Sequence, residues 1–250
     1  MTGVRPEGGA VEFGGTAGTG NMSEARAAFE LPPAPPRFAW RYDRSEILAD
    51  GAVHTLGLSL AVIGSIMLVA LGSRLALSQF SAILIYAFGL LVVLAVSATY
   101  NLLPISPLKW RLRRFDHAAI FLLIAATYTP FLSQVELGLS SGLLLAGVWI
   151  ASITGMVLKL AFPGRFDRAA VSLYLLIGWS GVLAYETVFQ VLPPLSVQLL
   201  FAGGVLYTAG VAFHLWQSLR FHNAIWHAFV LLAASCHYAA VVECMFGARA

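Results

Sequence analysis

Charge is scarce in this sequence: Asp, Glu, Lys and Arg make up 11% of its 250 residues, against about 25% in an ordinary soluble domain. So few charges exclude a globule covered by water-facing side chains. Alternating apolar and polar segments are also missing, which excludes a membrane β-barrel. Cysteine is nearly absent. Cys236 and Cys244 lie eight residues apart on one predicted helix, roughly 12 Å along its axis, too far to bridge one another. Both are read as buried structural thiols. The net charge is only +3, and the basic residues flank apolar runs instead of sharing a soluble face, so no nucleic-acid partner is expected.

What the sequence has in quantity is apolar length. Hydrophobic residues are 59% of the chain, in seven runs of about 20 residues, each long enough to cross a bilayer as a helix. The predicted spans are 47–71, 80–101, 116–135, 139–160, 170–189, 197–215 and 224–245. The fold class is therefore all-α, a seven-helix membrane bundle. Glycines recur inside the spans, at Gly57, Gly64, Gly89, Gly147, Gly155, Gly178, Gly203 and Gly210 among others. Small residues let membrane helices approach closely, so a tight bundle is expected. Pro130 should kink or locally unwind the third span. Ahead of the spans, residues 1–44 are rich in glycine and carry Pro32, Pro33, Pro35 and Pro36. They read as a disordered tail ending in a stiff linker, with no apolar core of a signal peptide. Residues 45–250 form the membrane domain.

Thirteen of the fifteen Lys and Arg residues fall before the first span or in the loops after the second, fourth and sixth. The exceptions are Arg74 and Arg249. Positive loops stay inside, so the N-terminus is expected inside and the C-terminus outside, which requires an odd number of spans.

That orientation brings scattered polar residues to one depth in the cytoplasmic half. Glu46, Asp50 and His54 form an i, i+4, i+8 stripe at the start of the first span. Ser97, Tyr100 and Asn101 end the second. Asp116 and His117 open the third. His222, Asn223 and His227 open the seventh, with His237 about 15 Å further along. Polar side chains are expensive in hydrocarbon and mark a functional site by default. Plainer roles exist for some: a charged interfacial turn for Glu46 and Asp50, a helix cap or an Arg113 or Arg114 partner for Asp116.

These residues lie in stretches that resemble the hemolysin III branch of the progestin and adipoQ receptor family. The stretches are S-E-I-L-A-D-G-A-V-H (45–54), S-A-T-Y-N (97–101), L-R-R-F-D-H-A-A-I-F-L-L-I-A-A-T-Y-T-P-F (112–131), G-G-V-L-Y-T-A-G (203–210) and N-A-I-W-H-A-F-V-L-L-A-A-S-C-H (223–237). The wider group includes alkaline ceramidases. Its pattern is S-x3-H on the second helix, Asp on the third and H-x3-H on the seventh, resembling a zinc site open to one water. Carried onto this chain, the resemblance implies Asp116 and His227 as zinc ligands, with His222 a further candidate, and Ser97 and Asp116 as catalytic residues. Glu46, Asp50, His54, Tyr100, Asn101, His117, Asn223 and His237 would form the ligand pocket. The sequence departs from the pattern twice. Asn101 and Asn223 stand where histidines belong, and an amide oxygen suits zinc poorly beside imidazole.

Three functions follow as expectations. The first is a pocket that binds a membrane lipid and serves lipid homeostasis or sensing without a metal. The second is a zinc-dependent hydrolase of a lipid amide. The third is the pore or lytic activity that the family's name implies, for which Glu186, His214, His237 and Glu243 are the only polar hints in the outer half. A bacterial-type inner or plasma membrane is the location the resemblance implies.

Overall fold

The computed structural model describes residues 42–135, 138–162, 164–184 and 190–247. Most of the predicted tail and Glu186 lie outside them. The described residues form helices and turns, with no strand among them. In chain order the helices are α1 (Arg44–Gly72), α2 (Leu77–Leu102), α3 (Pro107–Leu132), α4 (Leu139–Ala161), α5 (Asp167–Trp179), which runs on into a 3-10 turn over Ser180–Ala184, α6 (Pro194–Leu215) and α7 (His222–Phe246). Six of them, all but α5, are long and apolar enough to cross a membrane.

Local chemistry sets the starts. Asp43 caps α1 by accepting from the Glu46 amide at 2.8 Å. Glu46 answers by accepting from the Asp43 amide at 2.9 Å, a reciprocal capping box. Ser106 accepts from the Lys109 amide at 3.2 Å and Pro107 follows at the first helical position. That signal starts α3 nine residues ahead of the predicted span, so Lys109, Arg111, Arg113 and Arg114 lie on the helix and not in a loop. At its other end α3 continues through Pro130 and ends two residues later, at Leu132.

Successive helices pack side by side, α1 on α2, α2 on α3, α3 on α4 and α6 on α7, and α7 closes against α1. The most buried of the six spans is α3. Helix α1 shows the division of faces. Asp50, His54, Gly57, Ala61, Gly64 and Leu68 are buried, while Leu56, Leu60, Ile63 and Ile66 are exposed, an outward apolar stripe that suits hydrocarbon. Glycine permits the closest crossings. A Cβ at Gly155 would lie 2.4 Å from the Phe121 ring and one at Gly89 would lie 2.6 Å from Ala126. Gly147 and Gly178 face open space instead. Neither cysteine is in a disulfide; Cys244 is buried, but Cys236 is only half-buried.

The short α5 is tied down by polar contacts. Asp167 pairs with Arg113 of α3 at 2.8 Å and with Lys159 of α4. At the other end, the Tyr128 hydroxyl of α3 donates toward the carbonyls of Ile177 and Gly178, at 3.0 and 2.8 Å, and accepts from the Gly181 amide at 2.8 Å. The phenol thus satisfies backbone groups that an unbroken helix would have paired internally.

Candidate functional site

At the end of the bundle where α1, α3 and α7 begin and α2 finishes, a polar cluster joins four helices. Asp50 is its hub. One carboxylate oxygen lies 2.6 Å from Nδ1 of His227; the other accepts from the Asn223 side-chain amide at 2.9 Å and lies 3.6 Å from Nε2 of His54. The His54 and His227 rings tilt against one another with centroids 4.3 Å apart. A carboxylate can only accept, so His227 carries its proton on Nδ1 and leaves Nε2 with a lone pair.

The two asparagines extend this network. Asn223 Nδ2 is 3.3 Å from Asn101 Oδ1. Asn101 in turn donates to the Ser97 carbonyl at 3.0 Å and to its hydroxyl at 3.3 Å. Ser97 also lies beside Asp116, which is within electrostatic reach of both His227 and Asp50. A continuous chain of polar contacts therefore runs from His54 on α1, through Asp50, Asn223, Asn101 and Ser97, to Asp116 on α3.

Not every predicted site residue joins the chain. Glu46 bonds to the loop before α7, accepting from the Phe221 amide at 3.0 Å. Nearby, Arg220 donates to Asp43 and Ser45, each at 3.1 Å. The Ser45 hydroxyl and the Glu46 amide hold the Asp43 carboxyl down at about 2. This latch fixes where α7 starts, and hence the depth of Asn223 and His227. His222 turns toward the Leu219 carbonyl at 3.1 Å and stacks near Tyr42. Tyr100 lies under the Lys109 ammonium, 5.3 Å from its ring centroid. Buried Lys109 donates to the carbonyls of Asn101 and Leu103 at 3.0 and 2.8 Å, placing a cation at the α2 C-terminus where the helix dipole favours one.

Asp116 has a second neighbour, a cavity of about 220 Å³ between α3, α5, α6 and α7. Its wall is mainly apolar, with Ile120, Leu123, Phe131, Leu175, Leu200 and Val230 among the lining residues. Asp116 is its carboxylate, and His117, His214 and His237 are its imidazoles. The His117 carbonyl accepts from the Tyr174 hydroxyl at 2.8 Å.

A metal has a candidate seat in the cluster. Asp50, His54 and His227 offer ligand atoms that all lie within 4.8 Å of one another. Nε2 of His54 is buried and has no hydrogen-bond partner. Two imidazoles and a carboxylate form a donor set that zinc accepts. Two of these three differ from the set implied by the family pattern, because α1 supplies them. The stripe of Glu46, Asp50 and His54 was the sequence signal for them. It showed a shared face, but not that this face meets His227.

Comparison with known proteins adds the following. A family model described as "Haemolysin-III related" matches residues 45–238. The "Hemolysin-3 homolog" of Bacillus subtilis (strain 168) is 34% identical over 188 residues, covering 74% of this chain and 88% of that protein. "Hemolysin-3" of Bacillus cereus is 34% identical over 187 residues, covering 74% and 85%. The human "Monocyte to macrophage differentiation factor" is 28% identical over 170 residues, covering 65% and 69%.

Proposed function

The chain belongs to the haemolysin-III family of multi-pass membrane proteins, and on that premise we propose that it binds a membrane lipid in its cavity and acts in membrane lipid homeostasis or lipid sensing. The proposal includes seven spans, a cytoplasmic N-terminus, an outer C-terminus and a bacterial-type plasma membrane. The observation that carries it is the double placement of Asp116, which lines an apolar cavity and lies beside Ser97 of the buried cluster. A lipid chain lies against the apolar wall, and its polar group meets Asp116 and Ser97. Purified protein should carry lipid that mass spectrometry detects after extraction. Val211→Trp, which fills the cavity from α6, should release most of it. A folded Val211→Trp protein that keeps its lipid would sink the reading.

A second reading rests on a separate observation, the three clustered donors and the unpartnered His54 Nε2. Asp50, His54 and His227 would hold zinc, which when bound supplies an acidified water suited to amide hydrolysis. In this reading Asp50 also orients the His227 ring, and Asn101 and Asn223 hold the Asp50 carboxylate in place. Ser97 and Asp116 steady the polar group of a lipid amide at the cavity mouth. Elemental analysis should find about one zinc per chain, lost in His54→Ala and in His227→Ala. Protein that takes up no zinc when titrated with the metal in a calorimeter removes this reading and leaves the lipid pocket standing.

A further inference from the structure

The cavity that begins at Asp116 also reaches Tyr207 on α6 and His237 on α7. His227 and His237 lie ten residues apart on one helix, about 15 Å along its axis. Nε2 of His237 is 3.3 Å from the Leu200 carbonyl oxygen. A carbonyl only accepts, so Nε2 bears the proton and Nδ1 is left as an acceptor. The Tyr207 ring packs on the imidazole with centroids 5.5 Å apart. Gly203 makes this seat possible, since a Cβ there would lie 2.3 Å from Cδ2 of His237. Beside Tyr207, the hydroxyl of buried Tyr86 has no hydrogen-bond partner.

Several other polar side chains along this wall are already engaged. Thr127 donates to the Leu123 carbonyl, Trp179 to Thr208, and Tyr128 to the α5 carbonyls. His237 differs from these in keeping a ring nitrogen for an incoming donor, beside the Tyr207 ring. A polar atom left unsatisfied at that depth costs free energy, and a ligand carrying a donor would recover it. As a pure tether between α6 and α7, His237 would use only Nε2.

Asp116 lies within electrostatic reach of His227, so the α7 rise from His227 to His237 sets the scale of the cavity beyond it. We propose that the cavity selects an amphiphile that carries a hydroxyl far along its chain, on the order of 15 Å from its polar head. The head meets Asp116, and the chain hydroxyl donates to Nδ1 of His237 beside Tyr207. The proposal rests on the lipid reading of the cavity and deepens it by naming the ligand class.

The test is competition binding on the full-length protein in detergent, with a fluorescent fatty amide as tracer. The probes are dodecanamide, whose head can donate to Asp116, its ω-hydroxy derivative and a mid-chain hydroxy isomer. The ω-hydroxy amide should bind roughly three- to tenfold more tightly than dodecanamide, the contribution of one neutral hydrogen bond. The mid-chain isomer should gain nothing. His237→Leu should abolish the preference. Equal binding of the three probes to the native protein overturns the selectivity and leaves the lipid reading intact. That comparison needs no variant, so a His237→Leu protein that fails to fold does not blunt it. A preference that survives in His237→Leu also overturns the proposal. Binding of none of the probes overturns both readings.

Discussion

Asp50 accepts from the Asn223 amide at 2.9 Å and from the His227 imidazole at 2.6 Å, with His54 3.6 Å away. Removing that carboxylate strands donors on α7 in a buried site. A buried donor left without its acceptor costs about 1–3 kcal/mol, so Asp50→Ala, which strands two of them, should destabilise the protein by at least that much. Asp50→Asn keeps the shape and one acceptor and should cost less. Thermal unfolding of the two variants in detergent, followed by intrinsic fluorescence, measures the difference; equal midpoints for native protein and Asp50→Ala would show that the hub bears no weight. The sequence made Asp50, His54, Asn101, Asn223 and His227 visible as a polar layer, because polar residues stand out in apolar runs. Their bonding pattern was not visible. Spacing on α1 defines a face, but only the crossing of α1 with α7 decides that Asp50 receives Nδ1 of His227. For the same reason the family pattern drew attention to Asp116 and His227 as metal donors and passed over the two donors from α1.

At the scale of the element, α5 shows what a single side chain from another helix does to a span. The predicted run over 170–189 appeared uniform, with Gly178 and Gly181 available for packing. In the structure the α-helix stops at Trp179 and a 3-10 turn follows, with the Tyr128 hydroxyl bonded to Ile177, Gly178 and Gly181. Nothing local to 170–189 announces this, because the phenol comes from α3. Tyr128→Phe keeps the ring and deletes the hydroxyl. It should cost about 1–3 kcal/mol, the penalty for leaving buried partners unpaired. Amide hydrogen exchange should rise around Gly181 while α3 stays protected. Unchanged exchange at Gly181 would mean that another group takes over the bond. The start of α7 depends in the same way on Glu46, which serves both the α1 cap and the Phe221 amide. The sequence allowed Glu46 a pocket role or an interfacial one, and in the structure it holds the loop before α7.

Across the whole molecule, the number of crossings decides on which side the chain ends. Six helices meet the length and composition of a span, and an even number would return the C-terminus to the side of the N-terminus. Helix α5 has 13 residues and its 3-10 continuation has 5. At about 1.5 and 2.0 Å per residue they extend roughly 30 Å, the thickness of the hydrocarbon core. That reach would let α5 serve as the proposed seventh crossing, and the clustering of Lys and Arg on alternate connections calls for the same odd count. Both arguments predict that alkaline phosphatase fused after Ala250 will be active outside the cell. The same reporter placed in the connection after α4, near Arg165 and Arg168, should be inactive. Fusions silent at both positions would mean six crossings and a re-entrant α5. Activity at Arg165 would invert the bundle and put the polar cluster near the outer surface, where a lipid headgroup would have to enter from the opposite leaflet.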